Sequence, residues 1–162
     1  MSNPARFSAA EVFDLAIQTE HNGKAFYDAA AAAATGPEVR KIMHSLANAE
    51  AEHEETFRRL RTGASTMPPE SYPGEREEYM NALLQARVLP DEATALRVVA
   101  AMTDDTQALD FALAFEKDTI LFMHEMQDLL GEPESQKVDL LLQQERIHVR
   151  LLLELKQQRQ QA

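Results

Sequence analysis

The chain contains no cysteine and no tryptophan, and of its 162 residues only 5 are glycine and 7 proline. Without thiolates it cannot build a zinc–cysteine site, an iron–sulfur cluster or a disulfide framework of its own. It does not need such staples, because a chain of this length buries enough surface for a single core. Long hydrophobic runs are missing too. The nearest uncharged stretch, residues 29–34, is an alanine tract that favours helix and is far too short to cross a bilayer. The first 20 residues lack a basic start followed by an apolar run, so no secretory signal is expected. Positive charge is scarce: 16 Lys and Arg against 27 Asp and Glu leave a formal charge of −11. Such a chain repels a phosphate backbone and has no basic patch, so no nucleic-acid partner is expected. Most of the acidic charge reads as solvated helix surface. The expectation is a cytoplasmic protein that does not associate with membranes.

Glycine and proline fall at a handful of places, as they do between long helices with short connections. Ser8 and Glu11 make a capping box that opens a first helix running to Thr35. Gly36 is placed to close it, and Pro37 suits the first turn of a second helix that ends before Gly63. Residues 63–74, with Pro68, Pro69 and Pro73, read as irregular chain. A short amphipathic helix over 75–87 follows, with Tyr79, Met80, Leu83 and Leu84 on one side, and then another over 92–102. Thr103 or Asp104 caps a third long helix, and Pro133 starts the fourth. The predicted fold class is therefore all-α. One domain spans residues 1–162, with long helices at about 8–35, 37–62, 104–130 and 133–160 and a crossover at 63–103. Tight turns make each pair of helices antiparallel, and the long connection returns the chain to the starting end. A helix of about 27 residues is roughly 40 Å long, a distance this connection easily covers.

The two helix pairs resemble each other. A displacement of 96 residues lays Glu20 on Glu116, and one of 95 lays Glu50, His53, Phe57 and Leu60 on Glu145, His148, Leu152 and Leu155. Residues three apart on a helix differ by about 60° in azimuth, so the Glu and His of a Glu-x-x-His pair point the same way. Glu50–His53 and Glu145–His148 are the only such pairs in the chain. Both sit inside apolar stripes: Met43, Leu46, Phe57 and Leu60 in one helix, Val138, Leu141, Leu152 and Leu155 in the other. Glu20 interrupts a stripe of Phe13, Ala16 and Tyr27, and Glu116 one of Leu109, Ala112, Leu113, Ile120 and Met123. Each long helix thus carries an acid in the middle of its core face.

Four carboxylates buried together are untenable unless compensated, because each loses hydration and repels the others. Two divalent cations cancel their charge, and two neutral imidazoles complete a donor set suited to iron or manganese. A dinuclear metal site is expected, with Glu20, Glu50, His53, Glu116, Glu145 and His148 as ligands. A glutamate on a helix is usually solvated and a core histidine usually a packing residue. It is the conjunction of six on four in-phase stripes that outweighs that reading. His21, His44 and His124 lack a partner at ligand spacing, and Glu52, Glu54 and Glu55 read as outward charge.

At these residues, together with Ala25-Phe26-Tyr27 and Leu46-Ala47-Asn48-Ala49 beside the acids, the chain resembles the rubrerythrin-like branch of the ferritin-like superfamily. The resemblance covers the four long helices and implies a ferritin-like four-helix bundle with one long crossover. It further implies that Glu50 and Glu145 bridge two irons, that Glu20 and His53 share one metal, and that Glu116 and His148 share the other. Tyr27 resembles a tyrosine that supports the ligands in that family. Its hydroxyl either meets a ligand carboxylate or finds a backbone partner, as core tyrosines often do. Two departures matter. Thr119 stands where the family commonly has a further ligand acid, so a redox-linked ligand exchange is not implied. A chain without cysteine also has no rubredoxin-type electron-transfer centre, so any electrons must come from a separate donor or from free ferrous iron.

The expected function is a dinuclear iron oxidoreductase that reduces hydrogen peroxide or dioxygen, as in oxidative-stress defence. Competing readings are a ferroxidase or iron-storage protein of ferritin type, an oxidase acting on an organic substrate, and a helical interaction module without metal. Pairwise packing into a homodimer, with helix pairs exchanged through the crossover, is a further expectation.

Overall fold

In the computed structural model the described residues are 7–69 and 74–162; residues 70–73, inside the expected irregular stretch, and 1–6 lie outside them. Six helices form: α1 (Ala9–Ala33), α2 (Pro37–Thr62), α3 (Gly74–Ala86), α4 (Glu92–Ala101), α5 (Asp105–Leu129) and α6 (Glu134–Gln161). No strand occurs among the described residues. The four long helices pair as two hairpins, α1 along α2 and α5 along α6, and the hairpins meet through α1–α5 and α2–α6 packing. The crossover does not hang free, since α4 lies on α1 and α3 on α5.

Local chemistry sets most of the boundaries. Ser8 and Glu11 form the reciprocal capping box, and the Asp91 and Asp104 side chains accept the Thr94 and Gln107 amides at the starts of α4 and α5. The α1–α2 turn departs from expectation. Helix α1 stops at Ala33, and Gly36, in extended backbone, serves as N-cap of α2 instead of closing α1. Pro37 disfavours helical backbone at Gly36, and a partner about seventy residues away in sequence fixes the turn: Asp105 takes the amides of Thr35 and Gly36 at 3.0 and 2.7 Å, and the Thr35 hydroxyl as well. Arg159 completes the junction 3.7 Å from the same carboxylate. These charge-assisted bonds hold the Asp105 carboxyl below its ordinary value against the opposing effect of burial. On α3, Met80 is buried but Tyr79 is turned outward at 46 % exposure.

The core is divided. Val12, Phe13, Phe57, Met123, Met126 and Leu142 belong to one apolar cluster, and Phe26, Tyr27, Met43, Leu46, Leu109 and Leu152 to another. Aromatic rings anchor each part: Phe13 meets Phe57 at 6.2 Å between centroids, and Phe26 lies 4.8 Å from Phe111 and 5.2 Å from Tyr27. Along every long helix the polar interruption comes between residues of the first cluster and residues of the second. The bundle therefore has a polar waist.

Candidate metal centre

The waist is built from one acid on each long helix and one histidine on each of α2 and α6. Glu20, Glu50, Glu116 and Glu145 are all 0 % exposed, His53 1 % and His148 7 %. Two sets of potential ligand atoms converge, each set within 4.8 Å: Glu20, Glu50, His53 and Glu145, and Glu50, Glu116, Glu145 and His148. The structure thus brings together all six residues named from the sequence, and Glu50 and Glu145 belong to both sets. His21, His44 and His124 stay outside; His21 is a surface residue between Glu54 and Glu92.

Both imidazoles aim Nδ1 at the acids. His53 Nδ1 lies 2.8 Å from Glu145 Oε1 and 3.4 Å from Glu20 Oε2. His148 Nδ1 lies 2.9 Å from Glu145 Oε2 and 3.6 Å from Glu116 Oε1. The two rings stack across the site with centroids 5.7 Å apart and planes 17° off parallel. The outer nitrogen of His53, Nε2, meets Gln144 Oε1 at 2.6 Å. With Gln144 Oε1 accepting from Nε2, it is Nδ1 that the ring can give up to a metal when its proton is displaced. Tyr27 donates its hydroxyl hydrogen bond to Glu116 Oε1, so its partner is a carboxylate of the cluster and not a backbone group.

Gln144 and Gly23 belong to the site although the sequence did not single them out. Gln144 carried no signal beyond standing next to Glu145. Gly23 did carry one, as a glycine inside a long helix just one turn after Glu20. A Cβ at Gly23 would lie 2.6 Å from Glu50 Oε2 and 2.6 Å from Cζ of Phe115. Only a residue without a side chain leaves Glu50 where it is.

The residues fit a pair of cations. Both oxygens of Glu20 and of Glu50, Oε2 of Glu116, Oε1 of Glu145 and Nδ1 of His53 are buried without a hydrogen-bond partner. His53 Nδ1 is near two carboxylates in distance, but not aligned with either as a hydrogen-bond donor. Buried polar atoms are almost always satisfied, and so dense a group of exceptions needs an explanation. Two divalent cations would coordinate these atoms and cancel the four carboxylate charges together.

With no cation present, protons take that part. Burial pushes Glu50 well above the usual carboxylate range, and repulsion from Glu20, Glu145 and Glu116 adds to it. Burial also raises Glu20, against the His53 contact. Glu116 is pushed up to about 8 by burial and by the Glu145 charge. Burial alone would raise Glu145 too, but contacts from His148 and His53 outweigh it and hold this carboxyl low. The imidazoles respond in kind. Burial opposes their charge, yet the neighbouring acids raise His53 to about 11 and His148 to about 9. Burial and then the Glu116 charge drive the Tyr27 phenol well above its ordinary value. The cluster is a proton store that a metal must displace.

Two Glu-x-x-His helices and two single-Glu helices, all projecting inward, define the diiron-carboxylate class of ferritin-like bundle. The Rubrerythrin family model matches residues 11–156, and the chain belongs to that family. A crystal structure from Thermotoga maritima superposes with a TM-score of 0.70 at 25 % identity, covering 96 % of this chain and 98 % of that one. That protein is provisionally described as ferritin-like and diiron-carboxylate. No curated protein matches the sequence. No helix among the described residues is long and apolar enough to cross a membrane.

Proposed function

We propose that this protein binds two iron ions and uses them to reduce hydrogen peroxide or dioxygen. The observation that carries the reading is that Glu50 and Glu145 belong to both ligand groups, each of which is completed by one further acid and one histidine. Glu20 and His53 would hold one iron, Glu116 and His148 the other, and the two shared glutamates would bridge them. A pair of ferrous ions would supply both electrons for the O–O bond: peroxide and two protons become two waters while both irons become ferric.

The chain's own residues prepare that chemistry. Gln144 fixes the His53 ring with Nδ1 turned inward. Tyr27 keeps a hydroxyl proton on Glu116 Oε1, in reach of the cluster. The apolar clusters on either side exclude bulk water from the waist. With no cysteine in the chain, reducing electrons would come from a separate donor or from free ferrous iron. Iron is favoured over manganese by the proposed chemistry, and metal analysis after growth in iron-supplied medium distinguishes them.

The test is anaerobic loading with ferrous iron followed by titration with hydrogen peroxide. The expected result is about two irons per chain and complete oxidation by one peroxide per site, read by the ferric absorption. An iron-loaded centre inert to both peroxide and dioxygen would refute the proposal.

A further inference from the structure

Beside the waist, between α1, α3 and α5, lies a cavity of about 30 Å³ that the ligand set does not use. By this measure a water molecule needs roughly 10–15 Å³. The space suits a molecule with two oxygen atoms and is too small for an organic substrate. Its roof is the link from α3 to α4. That link is pinned on both sides, with Asn22 Nδ2 donating to Leu89 O at 3.4 Å and the Val88 amide to Asp118 Oδ2 at 2.8 Å.

The walls are mainly apolar, from Leu83, Leu84, Leu89 and Phe122, with polar groups from Thr19, Arg87, Asp118 and Thr119. Thr19 and Thr119 donate their hydroxyl protons to Leu15 O and Phe115 O, at 2.9 and 3.1 Å, which leaves both oxygens as acceptors. Arg87 supplies the complement. Its Nη2 reaches Pro90 O at 3.4 Å, while its Nε is buried with no partner. Arg87 Nε as donor, with the two threonine oxygens and the Asp118 carboxylate as acceptors, matches hydrogen peroxide, which both donates and accepts. Dioxygen, a weak acceptor with no hydrogen, would leave the threonines unanswered.

The cavity also borders the cluster. Thr119 is one turn beyond Glu116 on the same face of α5 and is 1 % exposed. Phe115 completes the apolar part of the wall. Its ring tip and Glu50 Oε2 are each 2.6 Å from the position of a Gly23 Cβ, so the ring lies directly beside that carboxylate.

We infer that this cavity is a binding site for hydrogen peroxide next to the metal centre, built by the crossover helix α3 and its link to α4. The inference rests on the peroxide-reducing reading above, and it assigns the crossover a part in substrate binding. Two measurements test it. Crystals of zinc-loaded protein, which cannot turn over, are soaked in hydrogen peroxide; two-atom density within hydrogen-bond reach of Arg87 Nε is expected. Stopped-flow reoxidation of the diferrous protein is then compared with Leu84→Phe, which fills the cavity, and Arg87→Met, which removes the donor. Both variants are expected to keep wild-type iron content and ferric spectrum but to react with peroxide about tenfold more slowly. For Arg87→Met the dioxygen rate is expected to be unchanged. Water alone in the soaked crystals, or wild-type peroxide rates in both variants, would overturn the inference. A wild-type iron protein that fails to react defeats the functional reading instead, and the zinc crystals still report on the cavity.

Discussion

Replacing Glu116 with glutamine tests the electrostatic basis of the waist without changing its shape. The amide is isosteric, and its carbonyl can still accept the Tyr27 hydroxyl. What it loses is a carboxyl that titrates at about 8 in the metal-free fold against an ordinary 4.5. The sign follows from linkage. A group with a raised folded value holds a proton that the unfolded chain has lost, so its contribution is complete below 4.5 and disappears as pH rises through about 8. At about 1.4 kcal/mol per pH unit, the wild-type protein gives up on the order of 4 kcal/mol between pH 4.5 and 8.5 through this one group. Glutamine gives up nothing. Metal-free Glu116→Gln should match wild type near pH 5 and exceed it at pH 8.5, by roughly 10 °C in melting temperature if the full amount is realised. Half of that is readable by calorimetry or circular dichroism. Added ferrous iron should reverse the order, stabilising wild type far more than the variant, because the neutral amide is a poor ligand. Melting curves that stay parallel from pH 5 to 8.5 would refute the account of the buried acids.

Two further outcomes follow from the same geometry. Gly23→Ala places a methyl 2.6 Å from both Glu50 Oε2 and Phe115 Cζ; the metal-free fold can yield only by shifting the Glu50 side chain and the Phe115 ring together, at about 1–3 kcal/mol. If Glu50 bridges two metals as proposed, it has no such freedom, so calorimetric titration should show a larger loss in metal affinity than in stability. Gln144→Leu removes the acceptor of the His53 Nε2 proton and should weaken metal binding about 10- to 100-fold. Its effect should be confined to one of two binding steps, because no equivalent hydrogen bond holds His148 among the described residues; equal weakening of both steps would argue against this role.

The architecture was legible because each long helix carries an apolar stripe with an acid in phase, and the two hairpins repeat at nearly constant spacing. Periodicity placed the six waist residues on inward faces, and the packing of the hairpins then brought them to one level. What escaped the sequence depends on partners distant along the chain. Pro37 marks a break locally, but nothing near Thr35 and Gly36 indicates that Asp105 receives their amides. Gln144 looks like any polar residue of α6 until His53, on another helix, is placed against it. Tyr79 fitted an apolar side of α3 by spacing but faces solvent, because a short helix lying on α5 buries only a narrow strip. The cavity under Arg87 and Leu89 arises where the crossover settles on α1 and α5, an arrangement that no pattern within residues 63–103 specifies.

The separation of the interior into two clusters with no shared member has a consequence for how the protein tolerates change. A trimmed side chain at one end, such as Phe57 or Met126, leaves a void whose relaxation stops at the layer of acids. Losses there should add independently to those from Met43 or Leu109 at the far end. Each end can then drift in sequence on its own, and what holds the two in common register is the four unbroken helices that run through both and the layer of acids and histidines they carry between them.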